Sequence, residues 1–346
     1  MVTIFPAMRA VLLFALGGCL AQAGDRIQLR MDPSAAEAVL AIVEQHRSGA
    51  VDESAWQRLF ATEPYQRLRR REAEMRRPFS DSAFREFVLS PELAGRTEEL
   101  RGTLRRWESA DLAVTARRVL GYLPPEARIR ASVYPMIKPQ PNSFVFEPRS
   151  NPAIFLYLDP RLSTAKFENT VAHELHHIGF ASIAARTDSL GAGLPANVRS
   201  AVAWMGAFGE GFAMLAAAGG PGTDPHAASS AEERARWERD LANFNPDLRK
   251  LDAFFLDVID GRSGSEEETR RRAFSFFGEQ GPWYTVGYHM AVIVERRYGR
   301  PAVIDCMTDP RRLLARYNAA AAELNEAGGE GLVLWSPRLL AAIGGP

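Results

Sequence analysis

The residues best able to do chemistry stand together at positions 173–177, in the run His173-Glu174-Leu175-His176-His177. The run fits the pattern H-E-x-x-H. On a helix, at about 100° per residue, His173 and His177 lie about 40° apart and one turn from each other, so both imidazoles can face one cation. Zinc suits such a pair, because it accepts nitrogen ligands in tetrahedral geometry and leaves a position open for water. Glu174 lies about 100° round from His173, placed to reach that water without binding the metal. The metal lowers the pKa of the water, and Glu174 takes its proton as it attacks a carbonyl. The chemistry is hydrolysis. Composition points to the same place: of only six histidines in 346 residues, three are in this run.

Two histidines do not complete a zinc site. The metzincin continuation fails, since it needs glycine and histidine where this chain has Phe180 and Ile183. Glu210 is the better third ligand, in the run Gly206-Ala207-Phe208-Gly209-Glu210-Gly211-Phe212-Ala213. An apolar helix does not bury a carboxylate without a partner. The 33 positions between His177 and Glu210 leave room for a loop and a returning helix. Gly209 and Gly211 flank the acid, so this helix is expected to approach the His173–His177 helix closely. Asp188, in the loop just past the motif, is the weaker rival. His176 lies about 60° from His173 on the side away from His177. It is expected to support the ligands or to lie at the surface rather than to bind metal.

Regular elements must position these groups. A helix from Ser163 to Ala185 is expected, with Phe167, Val171, Leu175 and Ile178 on one side. Before it come three short β-rich runs, Ile129–Tyr134, Ser143–Phe146 and Ile154–Leu158, punctuated by prolines and ended by Asp159-Pro160. A loop over 191–197 leads to a helix from Arg199 to Ala217, stopped by Gly219-Gly220-Pro221. Residues 32–122 read as helices, near 53–60, 63–77, 81–89 and 91–120, starting after Asp32-Pro33. Arg67 to Arg77 holds six Arg and two Glu. It reads as a solvated helix face, or alternatively as a contact for anionic lipid headgroups or cell-wall polymers. After a polar linker at 222–230 the chain is helical again. Ser265 and Glu268 form a capping box for a helix over 266–278, another helix covers 284–298, and Asp309-Pro310 and Ser336-Pro337 each start one. The fold class is mainly α (α+β), with three parts after the leader: 24–122, 123–221 and 222–346.

Lys+Arg and Asp+Glu are both 42, so the formal net charge is zero. A nucleic-acid partner is therefore not expected, since it would call for a basic surplus. Residues 1–23 read as an export signal: Arg9, an apolar run from Ala10 to Gly18, and an Ala21-Gln22-Ala23 cleavage site. Leu16-Gly17-Gly18-Cys19 also resembles a lipobox, which would put a lipid on Cys19. The protein is expected to be periplasmic, secreted or lipid-anchored at the envelope, touching a membrane only through that anchor. Cys306 is then the one internal cysteine, so no intramolecular disulfide is possible. It reads as a small buried hydrophobe.

Together these features resemble the gluzincin zinc metallopeptidases, which draw two histidines from H-E-x-x-H and a glutamate from a later helix. More narrowly, the chain is similar to uncharacterised bacterial families of zinc-dependent peptidases. Trp56, Leu59 and Tyr65 carry that likeness, with the strand before the motif, Gly209-Glu210-Gly211-Phe212-Ala213, Tyr284-Thr285-Val286-Gly287-Tyr288, Tyr298-Gly299 and Asp309-Pro310. The resemblance implies a zincin-like core flanked by helical regions, and Zn²⁺ held by His173, His177 and Glu210. It implies Glu174 as general base and a peptide or protein as substrate. It makes Ile154–Leu158 the edge strand that pairs with an extended substrate. It also implies a Tyr or His that donates to the developing oxyanion, for which Tyr284, Tyr288 and His289 are the candidates. Each of the three could equally be a core aromatic with a satisfied polar group. Two other functions are compatible with the sequence: a zinc hydrolase of a non-peptide bond such as a cell-wall amide, and a non-enzymatic envelope protein. A purely structural role would not need Glu174.

Overall fold

A computed structural model describes residues 26–187, 191–329 and 331–344. The expected export signal at 1–23, with Cys19, and the rival ligand Asp188 lie outside the described residues. Four strands form one small mixed sheet: β1 (Ile27–Met31), β2 (Ile129–Met136), β3 (Phe144–Phe146) and β4 (Ala153–Tyr157), in the order β1-β2-β4-β3. β2 pairs in parallel with both β1 and β4, and β3 runs antiparallel to β4. Ile154 of β4 sits opposite Val133 on one side and Val145 on the other. Strands covered on both faces read as continuous apolar runs, as Ala153–Leu156 does.

Two expectations about the sheet need correction. β1 lies in the 24–122 part, just ahead of the stretch read as helices, where no strand was expected. Only five residues long, it is identified by parallel pairing with Ile129–Val133, about a hundred positions later, and local patterning carries no sign of that. β4 is not an edge strand. Phe144–Phe146 turns back and pairs with its outer side, and Ser143 Oγ accepts from the Tyr157 backbone N–H at 3.1 Å. The open edge on that side belongs to β3.

The helices follow the sequence with shifted ends. The segment 91–120 is three helices, Pro91–Gly95, Thr97–Glu108 and Leu112–Leu120, and the Asp111 side chain caps the last. The capping box at Ser265 and Glu268 is present, on a helix from Glu266 to Ser275. The arginine-rich helix, Glu63–Glu74, is not merely a solvated face. Arg67 is 4% exposed; it donates to Tyr134 Oη at 3.1 Å, to Glu147 at 2.8 Å and to the Asn151 carbonyl. The Arg71 guanidinium lies 3.7 Å from the Phe144 ring centre. These two arginines fasten the helix to β2, β3 and the turn after β3, while Arg69, Arg70, Arg76 and Arg77 are exposed.

The motif helix is Thr164–Ala181. It buries Phe167, Val171, Leu175 and Ile178, as its spacing predicts, and Trp107 stacks on Phe167 at 4.4 Å. The apolar stretch expected as one helix over 199–217 is two, Ala196–Met205 and the acid helix Gly209–Ala218, joined by a 3₁₀ turn at Gly206–Phe208. By length and composition the run Ala196–Ala218 could cross a membrane; here 61% of its most apolar window is buried inside the protein. The tyrosine helix, Pro282–Tyr298, packs beside it. The loop over 222–230 is pinned to the motif helix. Lys166 Nζ donates to Ser229 Oγ at 2.6 Å and meets Glu233 at 3.0 Å, and Asn169 Nδ2 donates to the Pro225 carbonyl at 3.1 Å. Buried side chains from the sheet and all these helices form one continuous core.

Candidate metal centre

Two helices bring the three candidate ligands together. The motif helix supplies His173 and His177 one turn apart, and the first turn of the acid helix supplies Glu210. His173 Nε2 and His177 Nε2 are 3.1 Å apart, and Glu210 Oε2 lies 3.1 Å from the first and 3.2 Å from the second. No other group of three such side chains close enough to share an ion occurs among the described residues. A tetrahedral zinc with bonds of about 2.0–2.1 Å spaces its ligand atoms about 3.3 Å apart. The triangle therefore matches zinc. Two imidazole nitrogens and a carboxylate oxygen also suit it chemically, and three lone pairs aimed at one point are what a cation stabilises.

The electrostatics agree with the geometry. Burial would raise the Glu210 pKa, but hydrogen bonds and charge from His173 and His177 outweigh it and hold the carboxyl well below its usual range. Burial lowers the His177 pKa, yet Glu210 and then Glu174 reverse the effect and leave it raised. Glu174 is half-buried, and its charge acts on both His177 and Tyr284. His176 is 2% exposed, so it is not a surface residue, and neither of its ring nitrogens has a hydrogen-bond partner. Desolvation, helped by His177 and His173, keeps it neutral.

The three oxyanion candidates separate. Tyr284 stands at the cluster: its ring is near parallel to that of His173 at 6.2 Å, and the Glu210 charge acts on its phenol. Burial first, then Glu210 and Glu174, raises its pKa, so the phenol stays protonated. Tyr288 turns elsewhere. Its hydroxyl reaches the Thr223 carbonyl at 3.4 Å and its ring meets Trp237 at 5.4 Å. His289 packs its ring on Phe244 at 4.3 Å. Cys306 is buried beside Arg316, and burial raises its thiol pKa to about 11, as suits a small hydrophobe.

The glycines around Glu210 do not act as expected. A Cβ on Gly209 would meet nothing within 4 Å. A Cβ on Gly211 would lie 2.0 Å from the Tyr288 backbone nitrogen and 2.2 Å from the Gly287 carbonyl carbon. The approach that needs a bare glycine is thus to the tyrosine helix, while the acid helix also packs closely on the motif helix. Gly287 is the partner that spacing alone did not single out. The sign of it was the one glycine in a helix built mostly of larger side chains.

A family model described as "Putative zinc dependent peptidase (DUF5700)" matches residues 56–326. No curated protein and no solved structure matches the chain.

Proposed function

This chain belongs to that family of zinc-dependent peptidases, and from that premise we propose that it hydrolyses peptide bonds with Glu174 as general base, outside the cytoplasm. The observation that carries the reading is the triangle of His173 Nε2, His177 Nε2 and Glu210 Oε2, with sides of 3.1, 3.1 and 3.2 Å. These residues would hold zinc, whose Lewis acidity polarises a carbonyl and makes water a better nucleophile at neutral pH.

The chain supplies the rest. Glu210 stays ionised at any working pH, so the ligand set keeps one negative charge. Glu174 follows His173 directly and carries the second carboxylate of the site. It accepts the proton of the attacking water and hands it to the departing amine nitrogen, which balances the hydrolysis. Tyr284, protonated and beside Glu210, donates to the oxygen that gains charge as the carbonyl becomes tetrahedral. Export rests on residues 1–23 alone, with their basic start, short apolar run and Ala-x-Ala site.

The test is Glu174→Gln. It should keep about one zinc per chain and lose at least a thousandfold in peptide hydrolysis. Hydrolysis at the wild-type rate would remove Glu174 as the base.

A further inference from the structure

A cavity of about 440 Å³ is lined in part by residues that neighbour the candidate metal ligands in the chain, and it has no part in the chemistry so far described. Phe180, Met205, Gly206, Gly209, Phe212 and Met307 line it. Phe180 is three residues past His177 on the motif helix; Gly209 is bonded to Glu210, and Gly206 lies four residues before it. Residues three and four apart on a helix are neighbours, so the cavity adjoins the turns that carry His177 and Glu210.

The two glycines are the informative part. Gly206 and Gly209 have helical backbones, with φ of −56° and −51°. Glycine in a helix costs about 1 kcal/mol relative to alanine. A Cβ at either position would meet nothing within 4 Å. Gly211, two residues on, is held bare by the backbone of Gly287 and Tyr288; no neighbour holds Gly206 or Gly209 bare. The fold gains nothing from them, whereas a ligand entering the cavity gains the space they leave. The wall around that space is apolar: Met205, Phe212 and Met307 are all buried. The exposed Arg149 and Arg199 also line the cavity. Their charge disfavours a cationic side chain.

Resting on the peptidase reading, we propose that this cavity receives a bulky apolar side chain, aromatic or long aliphatic, from the substrate residue next to the cleaved bond. Gly206 and Gly209 set its depth. Differences in burying such a side chain separate substrates by roughly 10- to 200-fold in kcat/KM.

The experiment uses the zinc-loaded full chain and quenched peptides in which each residue flanking the cleaved bond is varied in turn. Wild type should prefer Phe or Leu over Ala at one flanking position by at least tenfold, and should reject Lys and Arg there. Gly206→Leu should remain folded and hold one zinc. It should lose at least tenfold in kcat/KM for Phe and Leu peptides while keeping its rate on the Ala peptide. Gly206→Ala should fall between. A folded, zinc-loaded Gly206→Leu with the wild-type preference would overturn the proposal while leaving the peptidase reading intact. Zinc-loaded wild type that cleaves no peptide would instead overturn the reading itself, and the proposal with it.

Discussion

Gly211 of the acid helix and Gly287 of the tyrosine helix cross with no room for a side chain between them. A Cβ on Gly287 would lie 2.9 Å from the Phe208 carbonyl oxygen and 3.3 Å from Gly211 Cα. The contact is therefore backbone on backbone from both sides. Its consequence lies one residue away on one helix and three on the other. Glu210 and Tyr284 are brought close enough to interact, so one crossing places both the candidate third ligand and the candidate proton donor.

Gly211→Ala should therefore destabilise the protein by about 2–4 kcal/mol, because backbone cannot move aside as a flexible side chain can. Gly209→Ala, two residues earlier, should be neutral or stabilising by up to about 1 kcal/mol, since its Cβ meets only open space. Chemical denaturation of the two variants beside wild type measures the contrast. Equal stabilities would mean that the helices are not in this contact.

Tyr284→Phe should lower kcat about 10- to 1,000-fold with little change in KM or zinc content, as expected for a donor used mainly in the transition state. Tyr288→Phe should change kcat less than threefold, because that hydroxyl is turned toward the Thr223 carbonyl. The reverse ranking in steady-state kinetics would exchange their roles.

Arg67→Leu should cost about 2–4 kcal/mol, because it strips charged partners from Glu147 and hydrogen bonds from Tyr134 and Asn151. Arg69→Ala, on the exposed side of the same helix, should stay within about 0.5 kcal/mol of wild type. Thermal unfolding of both distinguishes a buried clamp from a solvated face.

His226 gives the stability a pH dependence apart from the metal. It is 2% exposed, and its Nδ1 lies 2.9 Å from Ser229 Oγ. Burial first, and then the neighbouring Lys166, lowers its pKa from 6.5 to about 4. The unfolded chain therefore takes up this proton before the folded one does. The stability is fully present above pH 6.5 and is lost progressively as pH falls toward 4, by an amount on the order of 2–3 kcal/mol. His226→Phe should flatten that part of the profile, read from urea midpoints between pH 7 and 4. An unchanged slope would place the acid sensitivity elsewhere.

How much of this was legible in the sequence depends on the range of the interactions involved. The candidate triad was legible because H-E-x-x-H is a local pattern whose helical spacing fixes its geometry, and Glu210 because a lone acid in an apolar run needs a partner. Caps were legible for the same local reason, as at Ser265 and Asp309. Long-range pairing was not. β1 depends on β2, about a hundred positions on, and the edge position of β3 depends on which side of β4 is taken by β2. The burial of Arg67 depends on Tyr134, 67 residues on. The choice of Tyr284 over Tyr288 turns on which neighbour each phenol meets, and a shared helix face cannot separate them.

The most direct measurement of the central claim is the zinc content of purified wild-type and Glu210→Ala protein, dialysed side by side and analysed by atomic emission. With Glu210 as the third ligand, wild type should hold about one zinc per chain. The variant should lose most of its metal while keeping its helical circular dichroism. Full zinc retention by a folded Glu210→Ala would contradict the His173–His177–Glu210 site and the mechanism built on it.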